Sequence, residues 1–295
     1  MKYNVAMIKL QTPVEFPGCG LGLGLDDGYV VLGSCFADEI GSRMVRGGIK
    51  ACVNPFGTMY NPVSVCNSIM RLSSGLLFGE DDCVEMGAGA GLVCSFSHHT
   101  SFARATSDQF LENANSVLAG ASAFFREAGA VAVTLGTSWC FRHLETGEIV
   151  SNCLKRDARE FSREMLSPDI SAAMLRRMVS RFPDKKFIFT VSPIRHMADG
   201  AHGNQLSKSA LHMAVNEVCL AFPERTAYFP SYEIMMDELR DYRFYAEDMV
   251  HPSSQAVDYI WQRFCEWAFT PEEREKISAA EKEYRRSLHR PNLQR

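Results

Sequence analysis

Short apolar segments alternate with longer amphipathic segments along most of this chain. In the longer segments, apolar side chains recur at the spacing of a helix, as at Val257, Ile260 and Phe264. Strands and helices in alternation form βαβ units, in which helices cover both faces of a parallel sheet. Because such crossovers are right-handed, the sequence predicts a three-layer, doubly wound α/β/α fold. The predicted strands are residues 29–33, 49–53, 130–136, 186–193 and 226–232, and the predicted helices are residues 35–47, 63–73, 107–128, 169–181, 205–221 and 253–269.

The residues that follow the predicted strands are the first candidates for a functional site. In open sheets of this kind, ligands bind beyond the carboxyl ends of the strands. The residues that follow the predicted strands are mostly small and polar, which predicts one shared site at this edge of the sheet. The residues at these corners are Gly33-Ser34-Cys35, Asn54-Pro55-Phe56-Gly57, Gly136-Thr137-Ser138-Trp139 and Pro193-Ile194-Arg195-His196.

Two candidate nucleophiles, Ser34 and Cys35, lie side by side at the corner between the first strand and the first helix. A thiol at a helix N-terminus beside a histidine is nucleophilic as its thiolate. A serine needs a stronger base and a more complete oxyanion hole. This reasoning favours Cys35 as the nucleophile. Attack by Ser34 and the absence of covalent catalysis stay open as alternatives.

An aspartate and a histidine three residues apart, Asp248 and His251, directly precede the last core helix. Such a carboxylate fixes the tautomer of the imidazole, and the imidazole then takes a proton from the nucleophile. A histidine that only caps the helix or packs against it is the structural alternative. The nearby Asp248 and the nucleophile corner in the same chain favour the catalytic interpretation.

Five further polar residues are candidates for substrate contacts. Two adjacent histidines in a strand point to opposite faces and therefore chelate a metal poorly. We accordingly predict no metal site at the histidine pair, and we predict substrate contacts for residues close to the strand ends. The candidates are Asn54, His98, His99, Arg195 and His196.

Polar residues also mark predicted helix starts. Asn204, Ser207 and Lys208 lie at the beginning of the fifth predicted helix, where capping explains them. Near the C-terminus, Thr270 and Glu273 form a capping box. The helix that follows is charged on nearly all sides, which suits a solvated helix or an oligomer contact.

Composition excludes several classes of protein. The 295 residues carry a net charge of −4 with a pI near 6.1, without the basic excess of nucleic-acid-binding proteins. No segment approaches the roughly 18 apolar residues of a membrane span, and the N-terminal stretch MKYNVAMIKLQ lacks the apolar run of a secretory signal. The ten cysteines form no C-x-x-C pair and no zinc-finger spacing. We therefore predict a cytoplasmic protein with reduced thiols and without a cofactor or metal.

The chain divides into three parts by its residue pattern. Residues 1–28 are a Gly-rich approach segment, whose glycines do not fit the register of a dinucleotide-binding fingerprint. Residues 29–269 form a single α/β domain, with an irregular insertion at about 54–106 that contains a small β excursion. Residues 270–295 form a charged C-terminal helix.

The nucleophile corner, the later polar corners and the D-x-x-H-P motif at residues 248–252 together resemble the SGNH (GDSL) hydrolases. Within that superfamily the chain is similar to the GSCFA family, whose motif stands here as residues 33–37. The resemblance covers roughly residues 25–270. It implies a flavodoxin-like parallel sheet of about five strands.

The resemblance implies roles for the motif residues. Asp248 and His251 match the Asp-x-x-His block, and Cys35 falls on the nucleophile position. The third block of the superfamily is Gly-x-Asn, and here Ser138 stands where the asparagine is expected. The oxyanion would bind to backbone amides of Cys35 and Gly57 together with Ser138 or Thr137. The residues that the resemblance assigns to the oxyanion hole are thus Gly57, Gly136, Thr137 and Ser138.

Acyl transfer is the activity that this resemblance implies. The predicted function is an ester hydrolase that forms a covalent acyl-enzyme, with an acylated carbohydrate or another small-molecule ester as its substrate. An O-acyltransferase on the same site is one alternative. A non-catalytic ligand-binding protein on a degenerate SGNH scaffold is the other. We expect no nucleic-acid partner, and the C-terminal helix would supply any oligomer contact.

Overall fold

A computed structural model of the chain describes residues 12–288. Three predictions fall wholly or partly outside the described residues. The absence of a secretory signal and the first part of the approach segment concern residues 1–11, and the end of the predicted C-terminal helix concerns residues 289–295.

The strands of the described residues form three separate sheets. A five-stranded parallel sheet has the order β2-β1-β5-β9-β10, a hairpin pairs β3 with β4, and a three-stranded antiparallel sheet has the order β7-β6-β8. The strands are β1 (Tyr29–Gly33), β2 (Ala51–Val53), β3 (Val84–Glu85), β4 (Val93–Cys94), β5 (Ala130–Leu135), β6 (Trp139–His143), β7 (Ile149–Val150), β8 (Phe161–Met165), β9 (Lys186–Val191) and β10 (Thr226–Tyr228).

Helices cover both faces of the parallel sheet. One face packs against α2, α3, α4 and α5, and the other packs against α1, α7 and the buried Ile277 of α8. The helices are α1 (Cys35–Arg46), α2 (Pro62–Ser74), α3 (Ser107–Glu127), α4 (Pro168–Arg181), α5 (Gly200–Ala221), α6 (Ser231–Glu233, continued by a π-helical turn at Ile234–Glu238), α7 (Ser254–Ala268) and α8 (Pro271–Leu288), with single 3-10 turns at Glu80–Asp82, Thr100–Phe102, Ala158–Glu160, Met197–Asp199 and Tyr242–Phe244.

The strand order confirms the predicted fold class. Counted along the chain, the five parallel strands have the spatial order 2-1-3-4-5 of a flavodoxin-like, doubly wound α/β/α fold. The order reverses between β1 and β5, which pair in parallel from Tyr29 with Ala130 to Gly33 with Thr134. A crevice therefore opens at the carboxyl ends of β1 and β5, where such folds bind ligands.

The two faces of the sheet have separate apolar cores. Along β1, Val30 and Leu32 belong to the core beneath α2–α5, whereas Tyr29 and Val31 belong to the core beneath α1 and α7. All five β1 residues are buried, which is the pattern of a strand covered on both sides. This double burial explains why the central strands are continuous apolar runs in the sequence.

The antiparallel sheet β7-β6-β8 was not predicted from the sequence. It follows directly after the corner at the end of β5, and Phe141 in β6 pairs with Val150 in β7 and with Arg163 in β8. We call it the second sheet. The predicted β excursion within residues 54–106 is confirmed by the β3–β4 hairpin.

The interpretation of three residues as helix caps was wrong. Helix α5 begins at Gly200 and not near residue 205, so Asn204, Ser207 and Lys208 lie within the helix, and all three are buried. The capping box of α8 is confirmed by hydrogen bonds between Thr270 and Glu273 in both directions. No helix within residues 12–288 has the length and apolar character needed to cross a membrane.

Candidate active site

Ser34 is a structural residue at the corner that follows β1. Its Oγ accepts a hydrogen bond from the Phe36 amide at 3.3 Å and caps α1, which begins at Cys35. The same Oγ lies 3.0 Å from the Oγ of Ser192, just beyond the end of β9, and the Ser34 side chain is fully buried. Ser34 therefore fixes the start of the helix and joins two strand ends.

The geometry of this corner requires glycine at position 33. Gly33 has a φ of 141°, and a Cβ atom there would lie 2.0 Å from the carbonyl oxygen of Thr134. The Gly33 amide donates to Oδ1 of Asn54 at 2.8 Å, and Nδ2 of Asn54 donates to Asp38 at 2.6 Å. Asn54 was predicted to contact substrate, but its side chain holds the corner and is not part of the cavity described below.

Cys35 is the first residue of α1, and its side chain is partly exposed. Its Sγ lies 3.6 Å from the hydroxyl of Tyr60, which also lies 3.3 Å from the hydroxyl of Thr58. Burial raises the pKa of Tyr60 to about 12, so this phenol stays protonated at neutral pH and can donate a hydrogen bond. The first amides of a helix have no acceptor inside the helix, so the Cys35 amide is not used by the hydrogen bonds of α1.

Asp248 and His251 form a hydrogen-bonded pair in the loop before α7. Oδ2 of Asp248 lies 2.6 Å from Nδ1 of His251, and Oδ1 accepts the amides of Val250 and His251, each at 2.9 Å. The two backbone hydrogen bonds, followed by the imidazole, lower the pKa of Asp248 to about 2. The carboxylate is therefore ionised at neutral pH and orients the ring so that Nε2 is left as a proton acceptor.

One cavity of about 790 Å³ joins the corner of β1 to the Asp248–His251 loop. We call it the central cavity. Its lining contains polar and charged residues together with aromatic residues of the second sheet. Its lining includes Ser34, Cys35, Tyr60, Asn61, Thr137, Trp139, Cys140, Phe141, Val150, Cys153, Arg156, Phe161, Arg163, Ile194, Arg195, His196, Met197, Asp199, Val250 and His251.

The backbone amides assigned to the oxyanion hole at the end of β5 are already hydrogen-bonded. The amides of Gly136 and Thr137 both donate to the carbonyl oxygen of Tyr60, at 2.8 and 3.0 Å. The Ser138 amide donates to Oγ of Ser207 at 2.8 Å. Of these strand-end residues, only Thr137 lines the central cavity. These three amides therefore already have acceptors within the protein.

Gly57 and the histidine pair lie outside the central cavity. The Gly57 amide donates to the Asn54 carbonyl at 2.7 Å, and its α-carbon packs so tightly against His99 that an added Cβ atom would lie 2.2 Å from the Cβ atom of His99. His98 is buried in an aromatic cluster, 4.6 Å from the Phe78 ring, and burial lowers its pKa to about 3. The structure therefore does not bring Gly57, His98 or His99 to the proposed chemistry.

Arg195 does line the central cavity, and it also supports the Asp248–His251 loop. Its backbone amide donates to the Val250 carbonyl at 3.3 Å, and its guanidinium donates to the Met249 carbonyl. Met249 has a positive φ of 58°, which a non-glycine residue adopts only when its surroundings hold it there. The two hydrogen bonds from Arg195 are part of what holds this loop in place.

His196 is a second histidine of the central cavity. Its ring lies edge-on to Tyr60, with 5.7 Å between the ring centroids, and its Nε2 is buried without a hydrogen-bond partner among the described residues. Burial, followed by the charge of Lys208, lowers the pKa of His196 to about 4. The ring is therefore neutral at neutral pH and carries an unused polar atom beside the cavity.

Lys208 is a buried cation that the sequence reasoning missed. Its Nζ donates to the carbonyl oxygens of Gly136 and Ser192, both at 2.7 Å, and so ties together the ends of β5 and β9. Burial lowers its pKa to about 7. The available signal was spacing, since Asn204, Ser207 and Lys208 stand at i, i+3 and i+4 and so lie on one helix face.

The central cavity offers a thiol, two imidazoles and a phenol for chemistry, and the Asp248 carboxylate is hydrogen-bonded to one of these imidazoles, that of His251. Within residues 12–288, no group of three or more His, Cys, Asp or Glu side chains is arranged to hold a metal ion. The arrangement suits nucleophilic attack by a thiol with a histidine as proton acceptor.

Comparison with known families identifies the family of this chain. A model of the GSCFA family matches residues 29–264, from the start of β1 into α7. The matched region includes the central sheet, the corner with Cys35 and the Asp248–His251 loop. A search of curated proteins found no match.

Proposed function

Because the chain belongs to the GSCFA family, we propose that it is an ester hydrolase that works through a covalent acyl-enzyme on Cys35. The observation that carries this function is the shared cavity. Cys35 at the start of α1 and His251, paired with Asp248, line the same space. The resemblance of both motifs to those of SGNH hydrolases supports the same reaction class. We further propose a cytoplasmic location, because a catalytic thiol keeps its reactivity in a reducing compartment.

The choice of Cys35 over Ser34 is supported by their surroundings. The Ser34 hydroxyl is fully buried and already occupied by the Phe36 amide and the Ser192 hydroxyl. An attack by Ser34 would remove the cap of α1. Cys35 is partly exposed and lines the cavity, and within residues 12–288 its thiol makes one weak hydrogen bond, with the Tyr60 hydroxyl.

The reaction begins with attack of Cys35 Sγ on the ester carbonyl carbon, while the thiol proton moves to Nε2 of His251. When the carbon–oxygen bond breaks, His251 returns this proton to the departing alkoxide, and a thioester remains on Cys35. Asp248 holds the ring and stabilises the imidazolium between the two proton transfers. Water then attacks the thioester with His251 as base, which releases the acid and restores the thiol.

We assign two donors to the oxyanion that forms in these steps. One is the Cys35 amide at the helix N-terminus, where the helix dipole also favours negative charge. The other is the Tyr60 hydroxyl, which lies 3.6 Å from the attacking sulfur and stays protonated at neutral pH. The engaged amides of Gly136, Thr137 and Ser138 support this departure from the usual Gly-x-Asn arrangement.

An acyltransferase differs only in the second half of this reaction, where a hydroxyl group of another molecule replaces water. A non-catalytic binding protein is the second candidate, and the occupied amides of the expected oxyanion hole favour it. Turnover by the wild-type protein separates an enzyme from a binding protein. A hydrolase releases the acyl group as a free acid, whereas a transferase releases it as a new ester. The identity of the acyl product therefore distinguishes the two enzymes.

The Asp248–His251 pair tests the enzyme hypothesis. We expect His251→Ala and Asp248→Asn to lower kcat for nitrophenyl esters by at least about a hundredfold, because the first removes the base and the second favours the wrong tautomer. Both side chains are about half exposed, so the variants should melt within a few degrees of wild type. Steady-state kinetics and thermal melts measure the two effects. Full activity in both variants would contradict the assigned base.

A further inference from the structure

The second sheet turns one face toward the central cavity. Side chains at alternate positions of a strand share a face, so Trp139 and Phe141 of β6 lie on the same side. Phe141 pairs with Val150 of β7, and Trp139, Phe141, Val150 and Phe161 all line the central cavity. We call these four side chains the aromatic wall. The wall begins at Trp139, four residues after the last residue of β5, so it adjoins the corner at the end of that strand.

The charge next to the aromatic wall is neutralised. The Arg163 guanidinium lies 5.2 Å from the ring centroids of both Trp139 and Phe141, so it stacks on their faces. Arg163 also forms an ion pair with Asp199, whose side chain is almost fully buried. Arg163 therefore brings no unpaired charge to the wall, and Phe141 remains 37% exposed. A large aromatic side chain that is open to a cavity gains free energy when an apolar ligand covers it.

The aromatic wall and the base lie above opposite faces of the central sheet. Strand β7 contacts α2, whose Val65 and Ile69 belong to the core beneath α2–α5. Val250, next to His251, packs against the core beneath α1 and α7. Cys35 lies at the carboxyl end of the sheet, where its side chain packs on the same side as Val250 and its Sγ contacts the Tyr60 hydroxyl. Because His251 protonates the leaving alcohol, the alcohol occupies the base side, and the acyl group extends toward the aromatic wall.

We infer that the acyl group of the substrate is an apolar chain well beyond acetyl, which lies along the aromatic wall. The reaction that uses this chain is the proposed one, so the inference rests on the proposed function. The volume of about 790 Å³ is within the range of pockets that enclose whole drug-sized ligands, so space does not limit the substrate to acetyl.

A binding experiment tests the aromatic wall without turnover. Cys35→Ala protein is titrated with straight-chain alkanoates from butanoate to octanoate by calorimetry. Each added methylene should tighten binding about fourfold, which is the effect of burying one such group. Equal affinities for butanoate and octanoate would overturn the inference.

Two serine substitutions on the same face of the second sheet give a matched comparison in the Cys35→Ala protein. Phe141 and Met165 are 37% and 38% exposed, but only Phe141 lines the central cavity. Phe141→Ser should reduce the preference for octanoate over butanoate by about tenfold. Met165→Ser should leave this preference unchanged. Equal losses in the two variants would overturn the role of the wall.

Turnover separates this inference from the proposed function. With otherwise wild-type protein, kcat/KM for nitrophenyl esters should rise from acetate to octanoate, and Phe141→Ser should flatten the series. Chain-length-dependent binding without turnover of any ester would support the wall and refute the proposed function alone. Faster turnover of acetylated sugars than of octanoate esters would overturn the inference, because the wall would then accept a sugar ring.

Discussion

Ser34 and Cys35 are neighbours in the sequence, but their side chains lie in different surroundings. The serine is buried and serves the fold through its cap and its contact with Ser192. The thiol faces the central cavity beside Tyr60. A hydroxyl suits the cap because it accepts an amide hydrogen bond, and a thiol suits the cavity because it is the better nucleophile. The pair therefore combines a structural and a proposed chemical role in two adjacent residues.

Tyr60 gives a prediction about the oxyanion. Tyr60→Phe removes only the hydroxyl and keeps the ring that packs against His196. We expect kcat/KM to fall by about a hundredfold, the scale for loss of one oxyanion donor, while the thermal melt changes little. Thr58→Val removes the other hydroxyl partner of Tyr60 and should cost much less. Unchanged kinetics in Tyr60→Phe would show that groups other than the Tyr60 hydroxyl bind the oxyanion.

Lys208 gives a prediction about stability and pH. Its folded-state pKa of about 7 lies below the ordinary value of 10.5, so the unfolded chain binds more protons between these two values. The contribution of Lys208 to the free energy of unfolding should therefore be lowest below pH 7 and rise with pH by roughly 1.4 kcal/mol per unit until the ordinary pKa is reached. A neutral amine still has two hydrogens for the carbonyls of Gly136 and Ser192.

Urea unfolding of wild type and Lys208→Met at pH 6.5, 8 and 9.5 measures this effect. The methionine variant lacks the titrating group. The free energy of unfolding that it loses with the two hydrogen bonds should therefore be the same at each pH. The stability of wild type relative to the variant should grow as the pH rises. A difference that stays constant across this range would show that Lys208 does not have the assigned lowered pKa.

Among the elements, the central strands and their helices were predictable, and the second sheet was not. The central strands are buried on both sides and read as unbroken apolar runs, as in residues 130–135. The second sheet has Arg142, Arg163 and Glu164 among its aromatic residues. Its aromatic face borders a cavity and not a core, so its sequence lacks the pattern that packing imposes. The early start of α5 was missed for a related reason, since Gly200 and Gly203 weaken the helical signal.

The corner after β1 gives a prediction at the scale of an element. Gly33→Ala places a Cβ atom against the Thr134 carbonyl at a φ that alanine rarely adopts, so we expect a loss of about 3 kcal/mol in the free energy of unfolding. Gly120→Ala is the control, because nothing lies within 4 Å of its added methyl group in α3, and it should be neutral or slightly stabilising. Equal melting temperatures for the two variants would contradict the close approach of β1 to β5.

At the scale of the whole molecule, the central cavity exists because the fold brings distant segments to one edge of the sheet. The corner at Cys35 and the loop at His251 are more than 200 residues apart in sequence. The corner and the loop were both predictable, because each carries a recognisable motif: Gly-Ser-Cys after the first strand, and Asp-x-x-His before the last core helix. Tyr60 was missed, because a tyrosine in a loop carries no such signal, and Lys208 was interpreted as a helix-start residue although it lies within α5. The occupied amides were also hidden, since their acceptors come from Tyr60 and Ser207 in other elements.

The central claim is that Cys35 carries the acyl group, and intact-mass analysis of the protein with an activated ester tests it most directly. After a brief incubation with nitrophenyl octanoate and quenching in acid, wild-type protein should gain the mass of one octanoyl group. Peptide mapping should locate the group on Cys35. Ser34→Ala should still acquire the adduct, whereas Cys35→Ala should not. An adduct on Ser34, or one that persists in Cys35→Ala, would contradict the account.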